Sequence, residues 1–581
     1  MKKQLNSLLS FSVSGLLSLS LLAGGLSSCS FLDDNVPQAT LSEGEVRDPK
    51  QVENMVTSAY AIFISAEDIN SSFSMWNFDV RSDDAYKGGN GTSDGDVFHQ
   101  LEISQGILTT NWNINDMWVR LYNALSRTNA AIDVLLEMDD TYKLKEQRLG
   151  EMYFLRAYGH FLLKRLYKNI PFVIKPNMTQ EDYNNLSNTE YTNDEGWQVI
   201  ANDLIYAFNA LPQTQAEKGR PTKAAAAALL AKVYLYKAYR QDDPTTHQVT
   251  AIDEEDLKQV IKYTDPSLYA GYDLEPDFHN NFRPEPQYEN GIESVWAMQY
   301  SMNDGTKNGN CNWSYGLIVP NIPGVTDGGC DFYKPSQNLV NAFHTDDAGL
   351  PLLDNFNQTD WKETDNADTR LWLTVGVPGF PYMFNPNYIM AKTMTWSRSN
   401  GLYGYYVSLK HNVDPDSEYL IKGAWWGSPM NRIVLRYADV MLMRAEAEAQ
   451  LGTDLIDAID IVNRLRTRAS QSTGMLAGYD IKYGAHMLVK PYSGVYGKEE
   501  TLARVKMERR LELALESERF FDLVRWGEAE QVINKYYAEE ADNCAIYTVA
   551  RFTANKNEYL PLPYSQIAAS NGHYTQNIGG W

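Results

Sequence analysis

Four times along the chain, a run of apolar residues spaced three and four apart gives way to a short polar linker and then to a second run of the same kind. The first pair runs from Asn113 to Met138 and from Leu144 to Tyr167. The others cover 194–211 with 222–240, 432–451 with 454–469, and 500–516 with 518–537. Apolar residues at that spacing line one face of an α-helix, and a linker of a few residues turns the second helix back along the first. Small residues stand where such helices would touch most closely: Ala124, Gly159, Ala227, Ala231 and Ala445. One hairpin cannot bury its apolar face alone, so the pairs must stack. The predicted fold is therefore mostly α: a tetratricopeptide-like helical hairpin scaffold (about four pairs) over 113–240 and 431–540, with large irregular loop insertions and a few short strands.

Between the second and third pairs, over about 265–430, the chain changes character and fills with Gly, Pro, Asn, Trp and Tyr, as in "VGVPGFPYMFNPNYIMAKTMTWSRSNGLYGYY". Helical signals are few there, and turn signals many. A second such stretch, 63–112, precedes the first hairpin. Loops carried on a rigid support are where binding groups are usually placed.

The last pair contains "ERRLELALESERFFDLVRWG", 508–527, with five carboxylates and four arginines around one apolar helical face of Leu511, Leu515, Phe520 or Phe521, and Val524. Glu508 and Glu512, Glu512 and Glu516, and Glu518 and Asp522 are each four apart and repel one another unless arginine intervenes. Arg509, Arg510, Arg519 and Arg525 are placed to intervene. The reading is a buried Arg–carboxylate lattice fastening two helices, not a catalytic centre.

The chain begins with Lys2 and Lys3, runs uncharged from Leu8 to Leu26, and reaches "LSSC" at Cys29. That is the pattern of a secretory signal over 1–28. It resembles the bacterial lipobox, which implies cleavage before Cys29 and acylation of that cysteine, so that 29–581 hangs from lipid. A plain transmembrane anchor fits the Ser- and Gly-rich run less well. Cys311, Cys330 and Cys544 are too few for a disulfide framework, although Cys311 and Cys330 flank one loop and would be able to pair. Eight histidines form no HExxH and no Cys/His cluster, which argues against zinc. A net charge of −23 argues against nucleic acid and polyanions. Aromatic residues make up 12% of the chain, many beside Asn, Gly and Asp, a setting that suits sugars, whose C–H faces stack on rings while their hydroxyls take hydrogen bonds.

Several segments match a known family in order: "CSFLDD", "NWNINDMWVRLYNALSRTNAAID", "GEMYFLRAYGHFLLKRLY", "RYADVMLMRAEAEAQLG", "AIDIVNRLRTRA", "ERRLELALESERFFDLVRWG" and "YLPLPYSQIAASNGHYTQN". On these the chain resembles the SusD/RagB family of outer-membrane nutrient-binding lipoproteins, and most of all its fructan (levan) associated members. The resemblance implies a cell-surface, lipid-anchored protein of the outer membrane that captures glycans beside a SusC-like TonB-dependent transporter, with no catalytic role. It also makes Asp33 and Asp34 an export signal, where the bare sequence offers only an acidic tether.

The family's scaffold does not fix a ligand site, so loop residues must be weighed. "SAEDINSS" offers Asp68 and Asn70; "RSDDAYKGGNGTSDGD" offers Arg81, Asp83, Asp84, Tyr86, Asp94 and Asp96. Trp112 stands between two asparagines at the edge of a helix, where a ring would be held rigidly, although core packing is its other reading. Trp313, Tyr315, Arg398 and Tyr403 lie among glycines, serines and asparagines that would keep rings accessible. A furanose lacks the broad flat face of a pyranose, so a fructan site should combine one aromatic platform, Trp112, with Asp68, Asn70 and Asp94. Asp94-Gly95-Asp96 and "NDGTKNGN" at 303–310 are possible calcium ligands, but neither carries the full spaced ligand set. Two other readings stay open: a surface glycoside hydrolase, which needs two carboxyls across a sugar, and capture of oligopeptides by the same fold.

Overall fold

The computed structural model describes residues 47–64, 79–305, 310–312, 315–390, 396–422 and 426–581. The leader with Cys29, the Asp33–Asp34 pair, Asp68, Asn70 and Trp313 therefore lie outside the described residues, and of the Tyr315 side chain nothing is said. Helix α1 is Pro49–Ile64, strand β1 Ala85–Gly88 and helix α2 Asp96–Glu102. The expected first hairpin is α3, Trp112–Glu137, with α4, Lys145–Tyr167; the second is α5, Asn193–Ala210, with α6, Lys223–Ala238.

Each helix packs on the next, α3 on α4, α4 on α5 and α5 on α6. Close approach is where the small residues matter: a Cβ on Gly159 of α4 would lie 2.9 Å from the Leu125 side chain of α3. Ala224 to Ala228 of α6 are all buried, which explains a run of five alanines opening a helix with neighbours on several sides. Thr192 and Thr222 start α5 and α6 by accepting from Glu195 N and Ala225 N, satisfying amides a helix leaves open.

Helix α7, Glu254–Tyr263, lies outside the expected four pairs. It packs on α6, and also on α8, Tyr437–Leu451, so it carries the stack across from the second pair to the third. The insertion carries, among other short strands, β2, Ser294–Met298, and β3, Phe332–Pro335; β4, Arg432–Arg436, leads directly into α8. Strand β1 pairs antiparallel with β3, and β2 with β4. The two loop-rich stretches thus join each other, over a separate cluster of buried residues that includes Phe98, Phe332, Trp361 and Leu515. Helix α9, Leu455–Gln471, completes the third pair.

The fourth pair departs from expectation. Helix α10, Lys498–Glu512, stops at Glu512; α11, Arg519–Trp526, is a short helix ended by Gly527; α12, Ala529–Glu540, follows. Leu515 and Ser517 between them have positive φ of 60° and 70°. Buried side chains take up the backbone groups the break releases. Asp79 accepts from Ser517 N at 2.9 Å, the His411 ring nitrogen donates to Leu515 O at 2.7 Å, and Lys410 donates to Glu512 O at 3.1 Å.

The lattice is present and buried, and although Asp522 pairs with Arg509 and Arg525 inside 508–527, most of its partners come from across the chain. Glu512 meets Arg370, Arg436 and Arg468. Arg509 meets Asp439 and Asp522, and Arg525 meets Glu446 and Asp522. Arg510 and Arg519 hold Asp84 and Asp83, each at 2.8 Å. Asp83, Asp84, Arg81 and Tyr86 are therefore interior groups and not loop ligands: Arg81 donates to Asn557 O and covers the Phe520 ring, and Tyr86 donates to Glu540. Burial alone would raise the Glu446 carboxyl, yet the Arg525 guanidinium beside it holds it down at about 2. Among the described residues no helix is long and apolar enough to cross a membrane. Cys311, Cys330 and Cys544 are free thiols.

Candidate functional site

The surface that joins most of the described candidates begins where β1 runs out. Gly88, Gly89, Gly91 and Gly95 all take positive φ, 70° to 88°, which only glycine adopts without strain. They coil "KGGNGTSDG" into a tight loop. A Cβ on Gly89 would come within 2.4 Å of the Phe332 ring, so the loop lies flat on β3. Inside it sits Lys87, buried, whose ammonium donates to Gly88 O at 2.9 Å, Gly91 O at 3.0 Å and Asp94 O at 2.6 Å. The rings of Phe332 and Tyr403 face the same ammonium at 5.1 and 5.4 Å. Burial pushes the Lys87 amine down to about 8, against the pull of Glu102, Asp94 and Asp96. At 94–96 the main-chain oxygen of Asp94, which a calcium ion would want, is thus bound to an ammonium; residues 306–309 of the other calcium candidate lie outside the described residues. Among the described residues no group of three or more His, Cys, Asp or Glu is placed to hold a metal ion.

On the outer side of the loop, the Asp94 carboxylate accepts from Asn90 N at 2.8 Å and meets the Arg398 guanidinium at 3.5 Å, each side chain about one-third exposed. Arg398 is fixed from behind, since its amide and the Ser397 hydroxyl both donate to Asp331. Gly95 rests on Phe98, and Phe98 meets Trp112 edge on, ring centres 6.2 Å apart. Trp112 is the first residue of α3 and is 54% exposed. Asn111 fixes it there: its side-chain oxygen accepts from Asn113 N and Ile114 N, and its amide reaches Val97 O in α2.

Asp94, Arg398 and Trp112 therefore share one surface, linked through Phe98 and the glycine loop. Tyr403 does not join them. Its ring is 1% exposed and its hydroxyl lies 3.5 Å from Glu102, so the expectation of an accessible ring there is not met; it packs beneath the loop against Lys87. Sequence reasoning passed over Leu108 and Tyr564, both more than half exposed and joined to the same corner, where Tyr564 N donates to Thr109 O. The signal that was available there is Pro561 and Pro563 on either side of Leu562, immediately before Tyr564. Clefts of about 440 Å³, between α10 and α12, and about 370 Å³, beside β2, open elsewhere; of the candidates only Asp83, held there by Arg510 and Arg519, lines the first, and none lines the second. An indole face beside a carboxylate and a guanidinium is suited to stack on apolar C–H groups while pairing with hydroxyls.

Residues 292–581 match the model of the SusD family, and residues 30–235 match a family model described as starch-binding, associating with the outer membrane. The chain is 25% identical over 474 residues to SusD-like protein P2 of Formosa agariphila, covering 81% of each. It is 25% identical over 422 residues to a SusD-like protein of Bacteroides ovatus, covering 71% of this chain and 66% of that one. Among solved structures it is similar to a SusD superfamily protein from Bacteroides vulgatus, with a TM-score of 0.67 at 24% identity over 92% of this chain and 99% of the other. It is also similar to surface glycan-binding protein A of Bacteroides thetaiotaomicron in complex with laminarihexaose, with a TM-score of 0.63 at 19% identity over 91% and 99%. These likenesses establish the helical SusD fold.

Proposed function

The chain belongs to the SusD family, and from that premise we propose that it is a non-catalytic surface lipoprotein that captures oligosaccharides and passes them to a SusC-like TonB-dependent transporter in the outer membrane. Support comes from the matched family descriptions, from the signal and Cys29 pattern, and from one observation above the rest. Trp112 holds its indole half in solvent at a capped helix start, joined to the Asp94–Arg398 pair through Phe98 and the glycine loop.

The ligand we propose is a β-linked fructo-oligosaccharide of the levan type. A puckered furanose ring gains less from an arc of aromatics than from charge-assisted hydrogen bonds beside one platform, the balance seen at Trp112, Asp94 and Arg398. Asp68, Asn70 and Trp313 are proposed to complete the site. Asp94 is engaged with an amide and a guanidinium, the setting of a binding carboxylate rather than of a proton donor. A glycan array followed by calorimetry on the soluble chain from Ser30 onward tests the reading. Binding of fructans is expected, with no release of reducing ends; turnover would favour a hydrolase. Binding of peptides or α-glucans with fructans inert would overturn the fructan assignment.

A further inference from the structure

We propose that Lys87 is a positioning residue: its buried ammonium is the built-in cation of the 88–94 loop and fixes the pose in which Asp94 and Arg398 meet the ligand. The inference rests on the glycan reading only for the identity of that ligand. Three carbonyl oxygens, from Gly88, Gly91 and Asp94, converge on the Lys87 nitrogen at 2.6 to 3.0 Å. Three carbonyl dipoles aimed at one point repel unless a cation sits there, and an ammonium supplies three donors to match them. The glycines make this convergence available, because their positive φ turns the carbonyls inward. The two rings complete the shell, and the far side of the loop is held by Gly89 N donating to Asp331 O.

The connection to the binding surface is short. Asp94 presents its main-chain oxygen to Lys87 and its carboxylate to Asn90 N and Arg398. Releasing the first frees the second to swing. The charged and titratable groups facing the ammonium are Glu102 of α2, which accepts from Lys87 N at 2.7 Å, Asp94 and Asp96 of the loop, and Tyr403 opposite; the Asp331–Lys334 pair of β3 lies behind Gly88. Lys87 is the one of these whose charge is lost just above neutral pH, because burial has already brought its amine down to about 8. The loop should therefore loosen between neutral pH and about 9.

Lys87→Met keeps the stem and removes the charge, and Gly91→Ala leaves Lys87 in place while disfavouring the inward turn of one carbonyl; a Cβ at Gly91 meets nothing within 4 Å, so this variant should fold even where the first does not. Amide hydrogen exchange of 88–95 in the ligand-free protein is the primary readout, with fructo-oligosaccharide affinity at pH 7 and 9 as the second. We expect exchange in 88–95 to rise roughly tenfold or more in Lys87→Met and less in Gly91→Ala, with α3 and α4 unchanged, in line with the loss of charge-assisted bonds. Affinity should fall by a similar factor, and the wild-type loss of affinity toward pH 9 should be absent in Lys87→Met. Unchanged exchange in 88–95 in both variants would overturn the proposal. Faster exchange in variants of a protein that binds no glycan at all would support the internal cation while defeating the glycan reading.

Discussion

Trp112 and Asp94 make separate demands on experiment because they are held in different ways. Trp112 is seated by the Asn111 side-chain cap and half exposed, so Trp112→Ala should abolish oligosaccharide binding while leaving the melting temperature nearly unchanged. Asp94→Ala should weaken binding by roughly 1 to 3 kcal/mol, the range for a lost hydrogen bond at a partly buried acceptor. Calorimetry beside thermal melts separates the two; a Trp112→Ala protein that binds normally would show that the indole only packs on Phe98. The sequence made Trp112, Asp94 and Arg398 legible because large or charged groups among Gly and Asn are uncommon in a core. The same rule misled at Tyr403, where the glycines serve backbone turns and close approach rather than openness. Lys87 was invisible, since a lone lysine in a glycine run carries no periodicity and its importance lies in carbonyl oxygens that every residue has.

At the scale of elements, the hairpins were legible because their spacing is local, and α7 was missed although Asp253 and the acidic turn Glu254, Glu255 and Asp256 mark a helix start. The break after Glu512 was legible only as a linker at 517; its full extent and the second break at Gly527 were not, because apolar spacing runs on through both, and the groups that stabilise the first, Asp79, Lys410 and His411, lie one hundred or more residues away. Around this break the lattice makes a firm prediction. Arg525→Ala removes the nearest cation from buried Glu446, leaving it Tyr239, Trp526 and a more distant Arg509, and should cost roughly 3 to 5 kcal/mol of stability with ligand affinity unchanged, checked by denaturant melts and calorimetry. The pH sign follows from Glu446. Its folded carboxyl sits near 2 and its unfolded value near 4.5, so its contribution is complete above about 4.5 and is lost as pH falls toward 2. Melting temperature should drop across that window, and the drop should be shallower in Glu446→Gln, which starts from a lower value.

For the whole molecule, the membrane attachment and the partner are proposals that rest on the family resemblance, since geometry does not reach them. Cys29→Ala should leave the protein unlipidated and released from the cell surface, as read by fractionation and surface proteolysis, because a single lipid is the membrane anchor proposed for the chain. Retention in the outer membrane would mean that the transporter alone holds it. The join of the two loop-rich stretches through β1 and β3 was outside the reach of a reading that takes segments one at a time. Its fastening to the far end of the chain has a consequence in time. Asp83 and Asp84, just ahead of β1, are neutralised by Arg510 and Arg519. A nascent chain that ends before those arginines carries two acids with nothing to receive them, so the corner around β1 should be among the last parts to assemble although it is among the first to be synthesised. If exported as proposed, the chain would stay unfinished, and threadable, until almost all of it had crossed.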